Sequence, residues 1–290
     1  MSAYDLFLAP FIDYGFMRRA LVACLCLALG AGPIGVFLML RRMSLMGDAM
    51  SHAILPGAAI GYLIAGSLSL TAMGLGGLIA GLSVALLSGI VSRATVLQED
   101  ASFASFYLTS LALGVLIVSL RGSNIDLLHV LFGTILAIDA DALYQIGTIT
   151  SLTLIILAVI YRPLVAECFD PGFLRAIGGR GPIYHFLFLL LVVLNMVASF
   201  QALGTLMAVG LMMLPAAIAQ LWARSLTVMM ALAAASAAVS GYLGLIASYH
   251  LELASGPTII MTAALIYGFS ILFAPSGLAR RFFPRPHLAG

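Results

Sequence analysis

The sequence predicts an all-α, polytopic membrane protein with eight or nine transmembrane helices. Two observations lead there. Of the 290 residues, 63% are hydrophobic and only 8% are charged, against about 25% charged in a soluble globular domain. The apolar residues also fall in continuous runs, each near the ~20 residues that a helix needs to cross the hydrocarbon core. Backbone in lipid must satisfy its own hydrogen bonds, which leaves helices and closed barrels. A barrel strand alternates apolar and polar residues with period two, and these runs do not.

The runs cover roughly 16–40, 48–66, 72–92, 102–120, 142–161, 183–201, 203–222, 226–248 and 258–275. The first run and the boundary near Gly204 are the weakest, so both eight and nine spans are consistent. The stretch after Arg18-Arg19 is too long for a signal peptide and has no convincing cleavage site, so it reads as a span. Residues 1–290 read as one transmembrane domain with no soluble domain, no low-complexity segment and no clear internal repeat. Gly57/Gly61 and Gly77/Gly81 are small-xxx-small pairs that allow close helix packing.

Arginine placement sets the orientation. A cytoplasmic loop over about 162–182 carries Arg162, Arg175 and Arg180. With nine spans, Arg41-Arg42, Arg93, Arg224 and the tail arginines fall on the same side. Arg121 falls outside, and Arg18-Arg19 are stranded near the outer face. An N-terminal interfacial helix is one resolution of that conflict.

The composition excludes several functions. All 13 basic residues are Arg. A phosphate-binding P-loop needs its lysine, so any ATP-driven work must come from a partner chain. Cys24, Cys26 and Cys168 make no framework and read as small apolar residues. There is no HExxH and no GxSxG, so the chain is not expected to be an enzyme. No nucleic-acid partner is expected.

Asp48 and His52 lie four residues apart and share one helix face. Ionisable groups inside a membrane segment are costly and therefore candidates for function. A carboxylate with an imidazole suits Mn²⁺, Fe²⁺ or Zn²⁺. Two ligands are too few for a closed site, but a pair repeated across a two-fold axis supplies four. The alternative is that Asp48 caps the second span while His52 bonds a neighbour. Met43, Met46 and Met50 raise Cu(I), yet the chain holds 14 Met, which serve as ordinary apolar filler.

The segment Glu167–Gly181 is the second feature. Asp170 as N-cap, Pro171 at the first helical position and Gly178 as the stop define a short helix between spans. It reads either as a docking element or as a simple connector. Asp126 and His129 lie on one outer segment, Gly122–Gly133, expected as a short helix at the outer face. His250 and Glu252 lie on another. These four are possible outer-face contacts, or simply solvated loop residues. Glu99 and Asp100 are expected to cap the fourth span, and His185 and His287 to be surface residues.

The run Leu40–Gly57 closely resembles the signature of the permease subunits of manganese/zinc/iron ATP-binding cassette importers. The resemblance continues through Gly122–Gly133, Phe169-Asp170-Pro171 with Gly178, Gln201–Leu206, Leu214–Ala217, Ser248–Leu251 and Ser255–Thr258. Ala254 departs from the family's usual Pro. The resemblance implies a fold like the type II permeases for cobalamin and iron siderophores. It implies a homodimer in the bacterial inner membrane, two copies of a separate ATPase below, and an extracytoplasmic metal-binding protein above. It makes Asp48 and His52 the residues that meet the transported Mn²⁺, Zn²⁺ or Fe²⁺, with no tightly bound cofactor. It makes Phe169, Asp170, Pro171 and Gly178 part of the helix that enters the ATPase, with Arg175 as a polar docking contact. The rivals are a permease for a metal chelate or siderophore and an ATPase-independent secondary transporter.

Overall fold

The structure is a computed structural model that describes residues 3–66, 69–121, 135–176 and 178–278. Every regular element among them is helical. The order is α1 (Ala3–Phe7), α2 (Ala9–Asp13), α3 (Gly15–Leu40), α4 (Ser44–Ala65), α5 (Leu70–Ala94), α6 (Glu99–Arg121), a 3₁₀ turn (Ile135–Ala137), α7 (Ala140–Phe169), α8 (Pro171–Ala176), α9 (Gly181–Leu203), α10 (Thr205–Trp222), α11 (Leu226–Leu251) and α12 (Ser255–Phe273). Each of the nine apolar runs lies on one long helix. Seven of these helices are long and apolar enough to cross a membrane. Of the other two, α4 carries Asp48 and His52, and the apolar stretch of α10, Ala208–Trp222, is shorter. The weak boundary is resolved by Gly204, whose φ of 81° separates α9 from α10.

One expected boundary moves. α7 has 30 residues and runs through Arg162 and Pro163 to Phe169, so it is about 45 Å long at 1.5 Å per residue. The expected 162–182 loop therefore contracts to residues 170–180, including α8.

α3 threads the interior. From Gly30 to Leu38 every residue is buried, and three glycines face different neighbours. A Cβ on Gly30 would sit 2.5 Å from Asn195 Oδ1 of α9. One on Gly32 would sit 2.9 Å from the Ala234 backbone nitrogen of α11, and one on Gly35 would strike the Met212 carbonyl of α10. A polar seam adds direction. Asn195 Nδ2 donates to Thr153 Oγ1 at 2.8 Å, and Thr150 Oγ1 donates to the Cys26 carbonyl at 3.1 Å. Interhelical hydrogen bonds of this kind stabilise by about 0.6–2 kcal/mol each.

α4 and α5 approach just as closely. Gly57 packs on the Gly76 backbone and Gly61 on the Ala72 backbone. Gly77 and Gly81 take the side chain of Ile54, and Gly81 also that of Val193. Both small-xxx-small pairs thus mark real helix contacts.

At the other end of the bundle from α8, the chain's start folds onto α11. Tyr242 Oη donates to the Phe7 carbonyl at 2.9 Å, Phe11 stacks on Tyr242 at 5.3 Å, and His250 Nε2 lies 3.0 Å from the Leu6 carbonyl. Arg19 Nε donates to the Ile138 carbonyl at 3.0 Å. α1 and α2, five residues each, are too short to span. The arginine pair that charge placement left stranded therefore has one member engaged as a donor to main chain, beside short helices.

His185 departs from the surface position expected of it. It is only 5% exposed and sits between α9 and α5 with Ala85 and Gly89. His287 and the Gly122–Gly133 segment lie outside the described residues.

Replacing Gly57 with Leu should force α4 from α5 and cost about 1–3 kcal/mol or more, as overpacking does. A Cβ on Gly89 would meet nothing within 4 Å, so Gly89→Ala should not destabilise. Thermal unfolding midpoints in detergent would separate the two, and equal midpoints would contradict the packing.

Candidate metal site and coupling helix

The turn into α4 is tight. Arg42 adopts the left-handed region with φ of 59°, and the Met43 N–H bonds back to the Leu38 carbonyl at 2.9 Å. This closes α3 and starts α4 at Ser44. Asp48 is therefore in the second turn of α4, not at its cap, and the capping alternative falls. Its neighbour Ser51 is buried and donates Oγ to the Asp48 carbonyl at 2.7 Å. That hydroxyl serves the backbone.

Asp48 and His52 do share a face. His52 Nε2 lies 3.9 Å from Asp48 Oδ1, with the imidazole 32% and the carboxylate 62% exposed. The face looks onto α6. The His52 ring stacks on Tyr107 with centroids 6.4 Å apart and planes at 25°. A cleft of about 170 Å³ opens between the helices, walled by Asp48 and Ala49 on one side and by Asp100, Phe103 and Tyr107 on the other. Asp100, expected only as a cap, stands in the first turn of α6 and lines this cleft.

The sequence explains how the face is held. Pro56 has no N–H for the His52 carbonyl, so the helix ladder is weakened at that point. Ser110 of α6 donates Oγ to the adjacent Ala53 carbonyl at 3.4 Å. Pro56 also packs on α6, where a Cβ on Gly114 would sit 2.6 Å from Pro56 Cβ. Met43, Met46 and Met50 point away into the apolar core with Met196 and Met212, which supports filler over a thioether site. Among the described residues no three His, Cys, Asp or Glu side chains converge closely enough to hold a metal. The described residues of one copy thus offer fewer ligands than a closed site needs.

α8 follows α7 with one residue between them. Asp170 ends α7 by giving its N–H to the Ala166 carbonyl at 2.8 Å, and caps α8 by accepting from the Phe173 N–H at 2.8 Å. α8 starts at Pro171 and carries Arg175. Gly178, at φ of 76°, and the Gly179 N–H bonded to the Leu174 carbonyl at 2.8 Å close it. Leu174 is buried, while Phe169 and Phe173 are 65% and 56% exposed. Phe169 was a docking candidate on sequence; Phe173, its companion on the exposed side, was not. Its spacing four residues from Phe169 was the available signal. At the same end, the Arg41 guanidinium lies 5.5 Å from the centre of the Phe188 ring.

The outer-face candidates are less uniform. His250 is engaged with the Leu6 carbonyl. Glu252 is exposed and ends α11 in the left-handed region with φ of 53°. Asp126 and His129 lie outside the described residues.

Fold and site together define a polytopic helical membrane protein with an ionisable pair on one of its bundle helices. The chain belongs to the ABC 3 transport family, which matches residues 13–274. It is a multi-pass protein of the bacterial inner membrane. It is similar to the manganese import system permease protein ScaB of Streptococcus parasanguinis, 34% identical over 272 residues, covering 92% of this chain and 95% of the relative. It is similar to the chelated iron transport system membrane protein YfeD of Yersinia pestis, 30% identical over 270 residues, covering 93% and 89%. Among solved structures, PsaBC of Streptococcus pneumoniae in complex with Fab superposes with a TM-score of 0.82 at 31% identity, covering 96% of this chain and 100% of that one.

Asp170→Ala should cost about 1 kcal/mol of local helix stability through the lost cap. Gly178→Ala should cost a similar ~1 kcal/mol through the left-handed backbone. Hydrogen exchange across residues 170–179 should quicken severalfold in both variants. Unchanged exchange would contradict the assigned caps.

Proposed function

We propose that this chain is the permease subunit of an ATP-binding cassette importer that carries a divalent transition metal, manganese foremost, into the cytoplasm. The observation that carries the reading is the Asp48–His52 pair on a cleft face, in a chain that matches a named manganese permease along nearly its whole length. Oxygen and imidazole donors suit Mn²⁺ and Fe²⁺, and zinc fits the same donors. Manganese is favoured because it is the cargo in the relative's name, while YfeD supports iron as the second reading.

The permease works as a homodimer. With two donors from each copy, a site on or near the two-fold axis gathers four protein ligands, enough to replace part of the hydration shell. Because the described residues of one chain supply too few ligands for a closed site, a four-ligand site is completed where the copies meet. Dissociation of half the ligands then releases it.

A soluble or lipid-anchored metal-binding protein delivers the cation to the outer mouth. Two copies of a separate ATPase drive the cycle, since the chain has no lysine for a P-loop. α8 is the coupling helix. Phe169 and Phe173 supply exposed apolar contact, Asp170, Pro171 and Gly178 shape the helix, and Arg175 is the polar contact. His52 must present a neutral nitrogen to bind metal.

The test is uptake of radioactive manganese by the complete transporter in proteoliposomes. Asp48→Ala and His52→Ala should each reduce uptake by about tenfold or more, the scale on which metal-site changes act. Assembly with the ATPase should persist. Normal uptake by both variants would sink the proposed role, and uptake without any ATPase would favour a secondary transporter.

A further inference from the structure

We infer that α6 forms the second wall of the cation route, with Asp100 as the carboxylate that takes the metal from Asp48 on its way inward and Tyr107 as the residue that positions His52. The inference rests on the metal reading of Asp48 and His52 given above.

Three observations on different parts of the site converge. Asp48 and Asp100 come from different helices yet line one cleft of about 170 Å³, a space that holds a cation with a few waters and little more. His52, one turn deeper on α4, is covered by the ring of Tyr107, and Tyr107 lines the same cleft. The α4–α6 contact that sets these distances is itself fixed by Ser110 on the Ala53 carbonyl and by Pro56 on Gly114. The route is therefore a pair of registered helix faces and does not depend on loops.

The order of residues gives a direction. α3 ends and α4 begins at the end of the bundle that carries α8, and α6 begins at that end too. Along α4, His52 is deepest and Asp48 is about 6 Å nearer that end, at 1.5 Å per residue. Asp100 is the second residue of α6, nearer still to the mouth. A cation leaving the imidazole meets Asp48 and then a second carboxylate across the cleft. Two carboxylates facing one small space repel each other, and a passing divalent cation relieves that repulsion. The attraction is shared between them, so neither holds the metal for long. Tyr107 acts through His52: its ring stacks beside the imidazole on the side of α6, while Nε2 lies 3.9 Å from Asp48 Oδ1.

The experiment uses the complete transporter in proteoliposomes with manganous ion supplied by its binding protein. Uptake is measured for wild type, Asp48→Asn, Asp100→Asn, Asp100→Glu, Tyr107→Phe and Tyr107→Leu, with assembly verified by copurification of the ATPase. Asp100→Asn should lower the maximal uptake rate by about tenfold with KM near wild type, and Asp100→Glu should restore most of it. Tyr107→Phe, which keeps the ring, should transport normally, while Tyr107→Leu should lose rate as His52→Ala does. If Asp48→Asn fails to transport and Asp100→Asn and Tyr107→Leu run at wild-type rate, the inference is overturned while the metal reading stands. Normal uptake by Asp48→Asn overturns both.

Discussion

Close approach of helix backbones through glycine is the constraint on which this structure depends. In lipid the surroundings are as apolar as the side chains, so association rests on tight van der Waals contact and on polar bonds between helices. α3 satisfies that demand on several sides at once, with Gly30, Gly32 and Gly35 meeting α9, α11 and α10. The Asn195 seam binds α9 to α7 and, through Thr150, α7 to α3. α4 and α5 repeat the arrangement at Gly57 and Gly76. That contact lies a turn beyond His52, so the packing that holds the bundle also sets the rotation of the helix that bears the ionisable pair.

The site follows from this rigidity. Ionisable side chains are costly in a membrane segment, and here they stand in the early turns of α4 and α6, where Asp48 and Asp100 line a shared cleft. The methionines flanking them fill the core. Helix geometry alone turns residues 48 and 52 of α4 toward α6, with Asp48 lining the cleft and His52 facing Tyr107, and buries residues 46 and 50 in the core.

Much of this was legible in the sequence. Nine apolar runs became nine long helices because a continuous run of that length has few other solutions in lipid. Asp48 and His52 could be paired because helical spacing is local, and α8 could be drawn because capping chemistry is local too. Asp100 and Tyr107 were not legible as neighbours of the Asp48–His52 face. Their partners lie about fifty positions away, and only the α4–α6 contact brings them together. The end of α7 was missed because Arg162 and Pro163 resemble a helix end, although proline inside a long helix is tolerated where neighbours re-satisfy the backbone. His185 was misplaced because a histidine near a span boundary gives no sign of the packed α5 beside it. The fold of α1 and α2 onto α11 depends on Tyr242 and His250, more than two hundred residues away in the chain.

Asp170 has a mechanical consequence. A single residue closes one helix and opens the next, using its N–H for the first and its carboxylate for the second. No slack exists at that corner. A push on α8 is borne by the last turn of α7, and α7 reaches unbroken from that corner to the far end of the bundle. The corner therefore joins α8 directly to a helix whose other end lies some 45 Å away, at a rise of about 1.5 Å per residue.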